Sequence, residues 1–181
     1  MNPPVNTLGR RLARLGRLPA SPWLTTLALR RTVPFLGTAG VRFVEAAPGV
    51  ARLALDDRRR VYNHIRGIHA AAAALLAEAT SGLAVMLHLP DGHLALLTRM
   101  EIDYERRMQG GLVATVRVDE ATRARLVQQP RGDATFVAEV VDEAGERPLA
   151  ARLTWAWRPR RRTDRHTVGD APEQTLGVSP R

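Results

Sequence analysis

The stretch Asn63-His64-Ile65-Arg66-Gly67-Ile68-His69-Ala70-Ala71, continued by Ala72-Ala73-Ala74-Leu75-Leu76-Ala77-Glu78-Ala79-Thr80, decides how the rest of the chain is read. Between Ala70 and Ala77 no side chain carries a charge or a hydroxyl. The run predicts an alanine- and leucine-rich helix from near Gly67 to Thr80, apolar almost all round, and such a helix must be enclosed by other elements. Glu78 is the single acid in it. A carboxylate set into an apolar run must find a partner or do chemistry.

The cover is legible on either side of this helix. Val41 to Ala46 and Ala51 to Leu55 read as strands joined at Ala47-Pro48-Gly49, a turn signal that makes a first hairpin. After the helix, Leu83 to Leu89 reads as a further strand ending at Pro90-Asp91-Gly92. Leu94, Leu96, Met100, Ile102 and Tyr104 then alternate with Arg99, Glu101, Asp103 and Glu105 over a long strand. Leu112, Ala114, Val116 and Val118 repeat the period of two, and a short helical piece lies between Asp119 and Leu126. Ala134 to Val141 and Leu149 to Trp157 form a last pair across Glu143-Ala144-Gly145-Glu146. Short connections make the strands mostly antiparallel. The expected class is α+β, six or seven strands curved around one helix; pattern alone also admits other α+β rolls.

The ends of the chain differ from this centre. All 27 basic residues are Arg, and the formal charge of +9 is unevenly spread. Residues 1–60 hold 11 Arg against three acids, 61–157 hold 10 against 12, and 158–181 hold six against three. Val5, Leu8, Leu12 and Leu15 recur at helical spacing among Arg10, Arg11, Arg14 and Arg17. That basic amphipathic pattern fits contact with a membrane surface, or a helix packed on its own domain with a solvated Arg face. Pro19 marks a break, and Ser21-Pro22 starts a second helix running to about Arg31. The tail from residue 158 has few apolar residues and is expected to be disordered. Its arginines lack interleaved aromatics or a recognisable motif, so no nucleic-acid partner is expected. Every apolar run is broken by Arg, Asp, Glu or Pro well short of the roughly 20 residues that span a bilayer. The N-terminus lacks a secretory signal. Zero cysteines exclude disulfides and thiol catalysis, and a cytoplasmic location is expected. His64, His69, His88 and His93 lack metal-ligand spacing, and neither a metal nor a cofactor is expected.

Asn63, Gly67, His69-Ala70-Ala71, Glu78-Ala79 and Gly82 resemble in type and spacing the central-helix signature of hotdog-fold thioesterases of the phenylacetic-acid-pathway type. That signature reads Asn, Gly, His-Gly-Gly, then an acid nine residues after the His. The longer stretches "VPFLGTAGVRFVEAAPGVARLAL" and "NHIRGIHAAAAALLAEATSG" resemble more closely the uncharacterised hotdog branch called DUF4442. The resemblance spans about Pro34 to Trp157 and departs from the thioesterases where Ala70 and Ala71 replace two glycines. It implies a hotdog domain over 34–157, preceded by a basic helical extension at 1–33 and followed by the tail at 158–181.

The helix start has a chemical use. Free backbone N–H groups near Ile68 to Ala71 carry partial positive charge and suit a thioester carbonyl and the oxyanion formed on attack; they serve equally as a tightly packed helix entry. Glu78 lies eight residues beyond Ala70, roughly 12 Å along a helix axis, too far to act on a carbonyl held there. The resemblance implies a homodimer, with further pairing to a tetramer in some members, in which antiparallel helices bring the Glu78 of each chain to the helix start of the other. Glu78 would act there as general base or nucleophile. Ser81 could orient the water or bond its own helix backbone. Asn63 could orient substrate or cap the loop; His69 lines the site by resemblance, or is a satisfied structural group. Gly67, Ala70, Ala71 and Arg66 would contact substrate, and arginines including Arg66, Arg99 and Arg107 suit the phosphates of coenzyme A.

Three functions are consistent with this reading: an acyl-CoA thioesterase, a non-catalytic acyl-CoA or fatty-acyl binder on the same scaffold, and a dehydratase or hydratase. The third suffers because it needs a His and a carboxylate close together, and His69 and Glu78 on one helix are not.

Overall fold

The computed structural model describes residues 6–15 and 21–161. Val5, Arg17 and Pro19 of the N-terminal pattern and residues 162–181 of the expected tail lie outside the described residues. The elements are α1 (Thr7–Leu15), α2 (Ser21–Thr32), α3 (Pro34–Ala39), β1 (Arg42–Ala47), β2 (Val50–Leu55), α4 (Ala70–Met86), β3 (His93–Tyr104), β4 (Leu112–Arg117), α5 (Glu120–Gln128), β5 (Gly132–Asp142) and β6 (Leu149–Pro159). The six strands form one antiparallel sheet in the order β1-β2-β4-β5-β6-β3. The central helix α4 packs against β2, β3, β4, β5 and β6. Inward positions alternate as expected, with Ala134, Phe136, Ala138 and Val140 on β5 and Leu149, Ala151, Leu153, Trp155 and Trp157 on β6 all buried.

Two boundaries differ from the sequence reading. The helix starts at Ala70, three residues later than Gly67, because residues 63–67 close a turn of their own and His69 is the N-cap. It also continues to Met86, so the segment from Leu83 is helix and then turn, not a strand. The apolar run Leu83-Ala84-Val85 has no period because it is buried on every side, and periodicity cannot separate a buried helix from a buried strand. Gly82 does not break the helix: a Cβ there would lie 3.0 Å from the Trp155 ring, so the position serves close packing of helix on sheet.

The N-terminal layer is tied to this core. Asn6 is buried and its Nδ2 donates to the carbonyls of Met86 and Leu89 at 2.7 and 2.6 Å, while its Oδ1 accepts from the Gly9 N–H. α1 is thereby fixed to the end of α4, with Leu8 and Leu12 against the core and Arg10, Arg11 and Arg14 exposed. α2 runs beside β1 and seals that edge of the sheet. The Thr26 hydroxyl accepts from the Phe43 N–H at 3.0 Å, and the Arg30 guanidinium donates to the carbonyls of Val41 and Gly40 at 2.9 and 2.8 Å. β3 forms the opposite edge, and among the described residues nothing pairs with its outer side.

His88 latches the end of α4 to the β1–β2 turn. Its Nδ1 lies 2.8 Å from the Ala84 carbonyl, which can only accept, and its Nε2 lies 3.3 Å from the Gly49 N–H, which can only donate. The ring is therefore neutral with the proton on Nδ1, and burial holds its pKa below the ordinary value. A depressed folded pKa means that the native state disfavours the extra proton. The stabilisation is complete above the unfolded pKa of about 6.5 and is lost as pH falls below it toward the folded value. We expect the unfolding free energy from urea titration to fall between pH 6.5 and 5 by up to about 1.4 kcal/mol per pH unit, and His88→Gln to flatten that fall.

Candidate functional site at the start of the central helix

The loop entering α4 is built by one side chain. Asn63 Oδ1 accepts from the N–H groups of Ile65 and Gly67 at 3.0 and 3.1 Å, and Nδ2 reaches the Ile68 carbonyl at 3.5 Å. Closing this turn drives Arg66 to a φ of 58°, a left-handed conformation that costs a residue with a Cβ about 1 kcal/mol or more. Arg107, beyond β3, donates to the Ile65 carbonyl at 3.3 Å. A cavity of about 380 Å³ opens here between Asp57, Arg66, Gly67 and Ile68 on one side and Arg107 to Gly110 on the other.

The first turn of α4 leaves few donors free. His69 is the N-cap, and its Nδ1 accepts from the Ala71 N–H at 3.0 Å. The Ala72 and Ala73 N–H groups bond the His69 carbonyl. Among the described residues only the N–H groups of Ile68 and Ala70 at this entry have no acceptor. The sequence reading missed Tyr104, whose hydroxyl donates to the Ala70 carbonyl at 2.7 Å and ties the end of β3 to the helix start. Burial raises its pKa. Its place at the inward phase of an alternating strand is the one signal that marked it.

Glu78 lies two turns further along, half-buried and without a hydrogen-bond or ion-pair partner among the described residues. Burial raises its pKa above the ordinary carboxylate value. Ala71, Ala74, Leu75, Glu78 and Gly82 share one face of α4 by spacing, and this face is only partly covered. Beside it runs the inner side of β3, where Leu97, Met100, Ile102 and Tyr104 stand opposite the buried Trp155, Leu153, Ala151 and Leu149. Met100 and Tyr104 are nevertheless each 45% exposed, although α4 packs against β3. The result is an open apolar trough with one carboxylate in it. Ser81, by contrast, is fully buried: its hydroxyl donates to the Glu78 carbonyl and accepts from the Trp155 indole at 3.0 Å. The structure thus gathers Asn63, Arg66, Gly67, His69, Ala70 and Ala71 at the helix start, and leaves Glu78 and Ser81 far from them. No cluster of His, Cys, Asp and Glu able to hold a metal occurs among the described residues.

Comparison with known proteins places this geometry. The model of the family described as a domain of unknown function, DUF4442, matches residues 21–157. No curated protein matches the chain. Among solved structures, a Pseudomonas aeruginosa protein described as a probable thioesterase superposes with a TM-score of 0.68 at 20% identity, covering 79% of this chain and 97% of that one. A mutant thioesterase, also from P. aeruginosa, gives 0.63 at 16% identity over 75% and 94%, and a Haemophilus influenzae thioesterase gives 0.59 at 14% over 69% and 82%. At these identities the likeness establishes the hotdog fold.

His69 caps α4 through Nδ1, and a capping role and a catalytic one predict different mutants. His69→Ala should cost about 0.5–2 kcal/mol of stability, as loss of an N-cap does, read from the thermal midpoint. Any thioester turnover should change by less than about tenfold, whereas loss of a general base costs roughly a hundredfold or more.

Proposed function

The chain belongs to the DUF4442 family, and from that premise we propose that it hydrolyses acyl-CoA or a related thioester at two equivalent sites of a homodimer. The observation that carries this reading is the separation of complementary parts. A half-buried, unpartnered carboxylate and an unpartnered helix-start N–H lie on one helix, eight residues and roughly 12 Å apart. Each is incomplete in one chain, and two antiparallel copies of α4 bring each to the other.

The open edge supports the same pairing. Long unpaired edge strands are normally blunted or paired; α2 seals β1, and β3 is left. If β3 pairs with its own copy about a two-fold axis at Met100, Arg99 stands opposite the partner's Glu101, twice. Moving the axis one residue to Glu101 also pairs Arg99 with the partner's Asp103 but sets the two Glu101 carboxylates opposite each other, and moving it to Arg99 sets like guanidinium groups together. Pairing also covers Met100 and Tyr104 and closes the trough beside Glu78, which would hold the acyl chain.

In the assembled site the thioester oxygen accepts from the exposed Ala70 N–H. The partner's Glu78 takes a proton from water, which attacks the carbonyl carbon. The tetrahedral oxyanion is held at the helix start until the C–S bond breaks, and the thiolate takes up the proton, giving acid and thiol. Asn63 and His69 shape the loop and the first turn rather than touching substrate. Arg66 and Arg107, at the mouth of the cavity, suit anionic parts of the leaving group. One observation favours the second reading, a non-catalytic acyl-CoA or fatty-acyl binder: His69 takes the Ala71 N–H, one of the donors an oxyanion hole would use.

Glu78→Gln should lower kcat for a panel of acyl-CoA substrates by roughly a hundredfold or more with little change in ligand affinity. Because the raised pKa means that the carboxylate form is reached later, the rising limb of kcat/KM against pH should lie above the ordinary carboxylate value of about 4.3. Binding without turnover in the unmutated protein would favour the binder.

Dimerisation has its own measurement. Arg99→Glu or Glu101→Arg alone should weaken self-association by roughly tenfold, and the double swap should restore it, as read by sedimentation equilibrium.

A further inference from the structure

The outer side of the N-terminal layer has a use that the thioester site does not absorb. α2 docks on β1 through Thr25, Thr26 and Arg30. Its opposite side carries Leu24, Leu27, Ala28 and Arg31, at the i, i+3, i+4 and i+7 spacing of one helix face, with Trp23 beside them. An apolar stripe on the side away from the core is the reverse of what a surface helix requires. The stripe ends at the kink before α3, where Val33 and Phe35 are 42% and 62% exposed; Trp23 is 65% exposed. These are separate protruding side chains, not the walls of a groove.

Arginines crowd the same layer. The Arg60 guanidinium lies beside the end of α3, 3.7 Å from where a Gly40 Cβ would stand, and the Arg30 side chain packs at 3.5 Å from a Cβ at Gly37. Arg42 and Arg58 share a single acid, Asp56. Arg31 and Arg59 are exposed and make no ion pair among the described residues. Burial first, then the charges of Arg60 and Arg58, hold Arg30 below its ordinary pKa, and residues 6–44 contain no acid. No described helix is long and apolar enough to cross a membrane.

We propose that the outer side of α2 and α3 is a peripheral docking surface for an anionic phospholipid bilayer, with Trp23, Val33 and Phe35 entering the interface and Arg31, Arg59 and Arg60 meeting the headgroup phosphates. Protruding aromatics flanked by guanidinium groups match the amphipathic boundary of a bilayer, apolar below and anionic above. The proposal is independent of the hydrolase reading.

The test uses the full chain with phosphatidylcholine vesicles, with and without about one-third phosphatidylglycerol, at low and high salt. Trp155 and Trp157 are only 7% and 2% exposed, so a change in indole emission on adding vesicles reports Trp23. We expect co-sedimentation and a blue shift with anionic vesicles, falling roughly tenfold or more in high salt. Trp23→Ser with Phe35→Ser keeps every charge and should abolish most of the binding; Arg31→Glu with Arg59→Glu should abolish its salt-sensitive part. Unchanged thermal midpoints will show that both variants fold. Equal binding to neutral vesicles, no binding, sedimentation without an indole shift, or unaltered binding of the Ser variant would overturn the proposal. So would dissociation of a solution oligomer by the Ser variant without effect on vesicles, since that assigns the surface to a second copy.

Discussion

Enclosing one helix that is apolar on nearly every side is the constraint from which the rest follows. A six-stranded sheet can wrap most of α4 but must end somewhere, and its two ends are treated differently. At β1, α2 lies alongside, with Thr26 meeting the Phe43 N–H and Arg30 bonding the Val41 carbonyl just before the strand. At β3 nothing among the described residues pairs with the outer side, and the helix face carrying Leu75 and Glu78 looks out over the same side. Burial of the helix is therefore incomplete, and the half-buried acid sits on a partly covered face.

Polar side chains around the helix start are spent mainly on backbone. Asn63 satisfies three groups of its own loop, His69 caps Ala71, and Tyr104 meets the Ala70 carbonyl. Orphan groups at helix ends need partners, and most of them here have one. What is left for a ligand is small: the exposed Ala70 N–H and the dipole of a 17-residue helix. Such an entry suits a neutral carbonyl that gains charge during reaction better than a group already ionised. Glu78, the helix's own acid, lies eight residues further along it, roughly 12 Å away.

Much of the fold was legible because period-two alternation survives wherever one strand face is covered and the other is wet, as on β3, β5 and β6. It failed at Leu83 to Leu89, where burial on all sides erased the period, and at α3, whose six residues are too few to show one. Of the candidate site, the residues gathered at the helix start were legible, and their hydrogen-bond partners were not. Nothing in residue type separates a histidine that caps a helix from one that moves a proton, or a serine facing solvent from one pinned under Trp155. Tyr104 looked like one more strand residue until the end of β3 met the start of α4.

The amino-acid sequence by itself determined an apolar helix with a lone acid, a cover of alternating strands, and an excess of arginine placed toward the ends, because each is a property of neighbours along the chain. Only the tertiary structure decided which edge of the sheet is sealed, which N–H groups at the helix entry stay unpartnered, and on which side of α2 the apolar stripe faces. Those depend on contacts between residues from 10 to more than 80 apart, such as Arg30 with Gly40 and Asn6 with Leu89, and no local pattern encodes where such a pair will meet.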